Sequence, residues 1–468
     1  MAKRPNIIIT IADDQQPHTV GALGLRGIST PALDDMVERG TCFTQAHHFG
    51  STHAAICAPS RAMLHAGRNY FNLPLALHSK WRFGELSERE RDEFHQSMKA
   101  IPLLGQLLGQ NGYHTFGTGK WHNERVAFNQ SFQAGRHIFL GGMSDHDRVP
   151  IFDYDPSGRY PASQRRIGES FSSDLFADAA IEFIDRYDGD EPFFLYVAFT
   201  APHDPRTPPP QYDEMYRRDQ IELPPNFMPL HPFDNGDIYN LRDELLAPWP
   251  RTVDMIRNHM GDYYGMISHM DQAIGRIRHA LTQKEIMDDT VFIHTGDHGL
   301  AIGEHGLIGK QSMYEHSVRV PLLMTGPRIT AGRKIDALTY QHDLYPTLLE
   351  IAGIQVPPTC DFLSLLPLLD GKSRNVRHTI FSTYMNFQRM VKDKQYKLVR
   401  YYQQGGDGCD ILQLFDYLND PNEMSDLIGE EDLAGCIESL QIELDRWMEQ
   451  ANDGLAGQPW PGTAGKGL

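Results

Sequence analysis

Cysteine is scarce in this chain, 5 in 468 residues, at Cys42, Cys57, Cys360, Cys409 and Cys436. An odd, scattered set without a CxxC pair excludes a disulfide framework and a zinc knuckle. Long apolar runs are missing as well. None approaches the length of a bilayer-spanning helix, so no membrane span is expected. The opening "MAKRPNIIITIADD" has a short apolar stretch that closes on two aspartates, too short and too soon polar for a signal peptide. The expected location is the cytoplasm, or a secreted or periplasmic one if a leader has been removed. Basic residues are outnumbered: Lys and Arg total 43 against 61 Asp and Glu, a net charge of −18. Non-specific binding to nucleic acid or an anionic membrane surface is therefore disfavoured, and an anionic substrate would need a local basic pocket. Internal repeats and low-complexity tracts are absent.

What remains is ordinary globular composition, 40% hydrophobic and 22% charged, in a chain long enough for a large core with an annex. Asn6 to Ala12 reads as a strand buried on both faces. "TPALDDMVERG" reads as a helix capped by Thr30, with Pro31 in the first turn, Leu33, Met36 and Val37 inward, and a stop at Gly40. Further helices are predicted over Ile101 to Gln110, Asp174 to Tyr187, Asn258 to Thr282 and in "DLYPTLLEIAG". Strands are predicted in "YHTFGTGKWH", "PFFLYVAF", "DTVFIHTGDHG" and "VPLLMTG". Such alternation implies an α/β fold around a large mixed, mostly parallel sheet flanked by helices. The Pro-rich stretch from Pro202 to Pro232 reads as a long surface loop of the kind that lines sites. Beyond residue 372 the pattern becomes short strands and one helix, Leu433 to Gln450. This predicts a catalytic α/β domain over 1–371 and a smaller C-terminal antiparallel sheet plus helix over 372–468.

Chemistry in open α/β sheets gathers beyond the carboxyl ends of the strands. Four predicted strand ends carry polar groups: Asp13–Asp14, Lys120 with His122, His203–Asp204 and Asp297–His298. Three carboxylates brought together repel one another unless a divalent cation neutralises them. Hard oxygen ligands suit calcium or magnesium, and a nitrogen from His298 admits manganese. Calcium is the expected ion. Cys57 opens "CAPSRAMLHAGR", predicted as a short helix with Pro59 at its first position and Gly67 as its stop. Taken alone, Cys57 reads equally as a reactive thiolate at a helix N-terminus or as an inert buried residue.

The run Cys57-Ala58-Pro59-Ser60-Arg61 followed by Gly67-Arg68 resembles the C-x-P-S-R…G-R signature of type I, formylglycine-dependent sulfatases in the alkaline phosphatase superfamily. The resemblance extends through "GTGKWH", "APHDP", "GDHGLAIGEHGLIGKQSMYEHSVRVPLL", "QHDLYPTLLEIAG" and "KQYKLVRY…LFDYLNDPNEMSDL", nearly the whole chain. It implies that Cys57 is oxidised to formylglycine by a separate formylglycine-generating enzyme, and that Asp13, Asp14, Asp297 and His298 bind the cation. It also implies that Arg61, Lys120 and Lys310 counter the anionic sulfuryl group, and that His203, with Lys310, protonates the leaving alcohol. His122 would take a proton from the aldehyde hydrate so that sulfate is expelled. The substrate implied is a small sulfate monoester, with a sulfated sugar ahead of other alcohols. Phosphonate monoester and phosphodiester hydrolases of the same superfamily are the rival, and the oligomeric state stays open. Arg206 and the segment Gly141 to Arg148 are equally readable as pocket-lining or structural, as are Glu304 and His305.

Overall fold

The computed structural model describes residues 3–25, 27–73, 89, 96 and 100–461. An eight-stranded sheet runs in the order Arg333–Ile335, Thr41–Phe43, Leu322–Thr325, Thr290–Gly296, Asn6–Ala12, Phe193–Ala198, His114–Lys120, Ala134–Phe139. Leu322–Thr325 is antiparallel to both neighbours and the remaining pairs are parallel. The central strands Asn6–Ala12 and Phe193–Ala198 read as nearly unbroken apolar runs because both faces are covered. Ile7, Ile9 and Ile11 enter one core layer and Ile8 and Ala12 the other. Helices Pro31–Arg39, Ser172–Arg186 and Val253–Gln283 supply the layer against Ile8. Helices Cys57–Ala66, Leu104–Gln110 and Leu344–Ile351 supply the opposite one. No described helix is long and apolar enough to cross a membrane.

A second, five-stranded sheet carries the C-terminal strands Ile380–Tyr384, Gln388–Lys392, Tyr396–Tyr401 and Leu412–Asp416 in antiparallel order. Helix Ala434–Ala451 packs on it. Its edge strand is Gly50–Ser51, which pairs in parallel with Thr383 and Tyr384. A two-residue strand leaves no periodic signal, so the sequence reading of a purely antiparallel annex missed it.

Several element starts differ from expectation. Leu104 rather than Ile101 opens its helix, because a residue before proline disfavours the helical region and Ile101 precedes Pro102. The long helix begins at Val253 rather than Asn258, where the Thr252 side chain accepts from Met255 N at 3.3 Å and caps it. Thr30 does not cap its helix; its hydroxyl donates to Asp34 instead. The cap comes from a distant carboxylate, Asp271, which accepts from Ala32 N at 3.0 Å and Leu33 N at 2.8 Å. Pro59 is the third residue of its helix, not the first, since Cys57 opens it. Proline is tolerated there because the first-turn N–H groups have no intrahelical partner.

Candidate active site

Parallel pairing in register sets four strand ends side by side. Gly296 lies opposite Ala12, Ala198 opposite Ile11, and Gly119 opposite Ala198. The residues that follow these strands therefore share one edge: Asp13 and Asp14, Lys120 to His122, the 202–204 turn, and Asp297 with His298. Gly119 makes the close approach, with φ +87° and a notional Cβ only 1.9 Å from Ala198 O. Asp14 sits in the left-handed region at φ 74°, uncommon for a residue with a side chain and a sign that its surroundings fix the turn. Tyr263 does so: its hydroxyl donates to Asp14 O at 2.6 Å and accepts from Gln16 N at 2.9 Å.

Each of the three buried carboxylates has its own cation. Lys120 donates to Asp13, Lys310 to Asp14 at 3.0 Å, and Arg61 Nε to Asp297 at 3.0 Å. Arg61 also donates to Lys120 O at 2.9 Å. Burial opposes ionisation of Asp14, yet His203, Lys310 and His298 hold its carboxyl well below the ordinary range. Burial likewise works against charge on His298, but Asp297 and Asp14 push it up to about 9. His298 Nδ1 lies 2.9 Å from Gly299 O; a carbonyl only accepts, so Nδ1 carries a hydrogen in either charge state, and Nε2 is the nitrogen that can ligate a metal once it gives up its proton.

The donor set fits a divalent cation. His298 Nε2 and Asp13 Oδ1 are buried without a hydrogen-bond partner, although Nε2 approaches Asp14 Oδ1 to 3.2 Å. One ligand atom from each of Asp13, Cys57, Asp297 and His298 lies within 4.8 Å of the others, and Asp13, Asp14 and His203 form an overlapping group. Hard carboxylate oxygens with one imidazole nitrogen make a site for calcium, magnesium or manganese.

Cys57 Sγ points into this edge, 3.3 Å from His122 Nδ1. Burial would raise its thiol, but Lys120, His122 and Lys310 together hold it well below its usual value. Burial lowers His122, and the Cys57 side chain partly opposes that. Behind the ring, a methyl group on Gly142 would stand 2.5 Å from His122 Nε2. Gly142, in the segment Gly141 to Arg148, thus backs His122. His203 Nδ1 donates to Asp204 O at 2.7 Å, and its Nε2 stands 3.9 Å from Asp14 Oδ2.

All ten residues singled out from the sequence meet here. The chain's match to the family model for Sulfatase covers residues 5–354. The chain belongs to the sulfatase family. A second model, N-sulphoglucosamine sulphohydrolase, C-terminal, matches residues 303–450 of this sulfatase. A sulfatase of Formosa agariphila is 26% identical over 471 residues, covering 96% of this chain and 89% of that protein. A solved structure in complex with its substrate D-glucosamine-2-N,6-O-disulfate superposes with a TM-score of 0.79 at 21% identity, covering 97% of this chain and 100% of the other. The phosphonate monoester hydrolase of Agrobacterium radiobacter also shares the fold, with a TM-score of 0.70 at 20% identity and 96% of each chain covered.

This sulfatase is a hydrolase of sulfate esters, and its family works with a metal ion and formylglycine. Some expectations gain detail. Arg61 engages Asp297 through Nε and the Lys120 carbonyl through Nη1, so it orients that carboxylate, while its Nη2 is buried without a hydrogen-bond partner 3.9 Å from Asp13 Oδ1. Arg206 lies over the Tyr263 ring. Glu304 accepts from Gln16 and from Ile302 N, and His305 stacks on Tyr314, which are packing roles. The sequence reading missed Ser60 and Gln341, which donate to Asp297 O at 2.7 and 2.8 Å and fix that turn. Both lie inside matched stretches, so the signal was present but not assigned. Arg242, Asp243 and Glu244 were not singled out either.

Proposed function

We propose that this sulfatase hydrolyses a sulfate monoester of a small organic alcohol, with a sugar as the alcohol. Formylglycine derived from Cys57 and a calcium ion held by Asp13, Asp14, Asp297 and His298 complete the site. Residues 1–371 carry the chemistry and 372–468 support it. The observation that carries this reading is the set of basic side chains around Cys57: His122 Nδ1 lies 3.3 Å from its Sγ, and Lys120, His122 and Lys310 hold the buried thiol below its usual value. A sulfate monoester presents three equivalent non-bridging oxygens with no substituent, and fixed cations can address all of them.

The Cys57 side chain stands where the modified one would be. The cation, when bound, supplies positive charge for the sulfuryl oxygens, and the oxidised residue supplies the oxygen nucleophile. Lys120 and Lys310 add charge at fixed positions. Arg61, Ser60 and Gln341 orient Asp297. His122 Nδ1, aimed at position 57, receives a proton there. The Asp204 carbonyl holds the Nδ1–H of His203, so the proton that its imidazolium form hands to the departing oxygen leaves from Nε2, which faces the site. The sugar assignment is supported by the sugar disulfate in the structural neighbour and by an N-acetylglucosamine-6-O-sulfatase of Bacteroides thetaiotaomicron, 23% identical over 527 residues.

Turnover of a panel of sulfated sugars, aryl sulfates and choline sulfate beside aryl phosphonate esters tests the reading. The protein is made together with a formylglycine-generating enzyme, and the peptide carrying residue 57 is weighed. The expected peptide is lighter than the cysteine form and resists alkylation, and sulfate esters turn over faster. Full alkylation in an active sample, or faster phosphonate turnover, would overturn it; in the second case the phosphonate hydrolase reading takes its place.

A further inference from the structure

Arg242, Asp243 and Glu244 lie in a long irregular segment between two loops that are far apart in the chain. Arg242 grips the Asp204 carboxylate with both terminal nitrogens, at 2.6 and 2.9 Å, and also donates to Asp243 Oδ1 at 2.6 Å. Asp204 in turn stands 3.3 Å from His203 Nδ1. The other carboxylate oxygen of Asp243 accepts from Gln311 Nε2 at 2.7 Å and lies 4.0 Å from Lys310 Nζ. Gln311 Oε1 accepts from the Lys310 backbone N–H at 2.9 Å. Glu244 accepts from Gly309 N at 2.9 Å and Ile308 N at 3.1 Å while paired with Arg251 at 2.7 Å.

We infer that Arg242-Asp243-Glu244 is a positioning clamp that holds His203 and Lys310 at a fixed separation, so that both address the oxygen leaving sulfur. This rests on the reading of those two residues as the leaving-group side of the site. Each member of the tripeptide touches a different part of the pair's support: Arg242 the carboxylate beside His203, Asp243 the side chains beside Lys310, Glu244 the backbone just before it. A bidentate guanidinium–carboxylate pair fixes direction as well as distance. Glu244 buried with its backbone donors ties down two N–H groups that would otherwise be orphaned. Asp204 and Asp243 are buried while the Arg242 side chain remains 47% exposed, so the clamp closes from the mouth of the site inward. As the oxygen nucleophile at position 57 bonds to sulfur, the ester S–O bond breaks and its electron pair goes to the bridging oxygen. The proton on the His203 imidazolium satisfies that oxygen, and the imidazole is left neutral. A small displacement of the donor costs most where the leaving oxygen is most basic.

The test is a leaving-group series of aryl sulfates, from 4-nitrophenyl to 4-methoxyphenyl sulfate, run on the mature, metal-loaded enzyme. For Arg242→Met, kcat/KM should fall less than about 3-fold on 4-nitrophenyl sulfate and about 30-fold or more on 4-methoxyphenyl sulfate, within the span of general-acid effects. Arg242→Lys should recover part of that loss, and Asp243→Asn should show the same dependence if Arg242→Met does not fold. Uniform loss across the series in both Arg242→Met and Asp243→Asn would mean a merely structural role and overturn the inference, as would no loss. His203→Ala is the control that separates the two levels. If it too loses activity uniformly, the reading of His203 as proton donor fails. If it shows the leaving-group dependence while the clamp variants do not, only the clamp is refuted.

Discussion

Replacing Lys120 with methionine keeps the stem and deletes a buried ammonium group bonded to Asp13. After the change, the nearest cation to Asp13 is Arg61, whose Nη2 stands 3.9 Å away while its Nε is engaged by Asp297. Removing one partner of a buried ion pair costs about 3–5 kcal/mol, because the other charge stays buried without compensation. That loss should appear in urea unfolding of the metal-free protein. It should shrink when calcium is present, since a divalent cation on the same carboxylates takes over their neutralisation. Catalysis should suffer separately. Losing one preorganised donor to the sulfuryl oxygens costs about 2–4 kcal/mol, roughly 30- to 900-fold in kcat/KM. A diester has an alkyl group on one of those oxygens, so the same change should affect an aryl phosphonate ester less. The assays are denaturation with and without chelator, and kcat/KM on matched aryl sulfate and aryl phosphonate esters. Equal loss on both esters would refute the assignment of Lys120 to the sulfuryl group. A stability loss unaffected by calcium would refute the shared-carboxylate argument.

Other changes probe the remaining supports. Asp297→Asn should reduce the divalent metal retained by the purified protein and turnover far more than the melting temperature, and active protein free of divalent metal by elemental analysis would contradict the ligand set. Gly142→Ala places a methyl 2.5 Å from His122 Nε2, against ordinary contact from 3.4 Å. The ring must retreat by close to an ångström, and kcat/KM should fall on the order of 10²-fold with folding intact; an unchanged rate would show that His122 needs no such placement. Burial raises the Asp271 carboxyl to about 7, against the pull of Ala32 N and Leu33 N. Its native form therefore keeps a proton that the unfolded chain has released, and the stability this group contributes is full below about pH 4 and lost as pH rises through 7. The difference in urea midpoint between parent and Asp271→Asn should change across that window, and a difference constant from pH 4 to 8 would sink the assignment.

The site was legible in the sequence to the extent that a parallel sheet is. Once Asn6–Ala12, His114–Lys120 and Thr290–Gly296 are read as parallel strands of one sheet, their next residues must share an edge, whatever the order of the strands. That is why Asp13, Lys120 and Asp297 could be grouped without coordinates. Helix starts were less legible, because caps are settled by partners far away in the chain: Asp271 rather than Thr30 caps the helix at Pro31. The edge strand Gly50–Ser51 is too short to carry a pattern at all.

Pairing among charges was the least legible feature, since a motif names residue types and not which cation meets which carboxylate. Arg61, expected beside the sulfuryl group, is held by Asp297; Lys120 and Lys310, expected there too, answer Asp13 and Asp14. These pairings and the proposed roles of the lysines are compatible. A buried ammonium group needs an anion nearby in every state. In this structure the carboxylates provide it. Where a divalent cation competes for those same oxygens, Lys120 and Lys310 need another anion within reach, and the sulfuryl group is the one that a sulfatase brings. Arg61 differs because its fork is already divided between Asp297 and the Lys120 carbonyl, and this ties the metal turn to the lysine turn. A chain with a net charge of −18 can thus bind an anion because its cations at this edge are buried, paired and fixed before the substrate arrives.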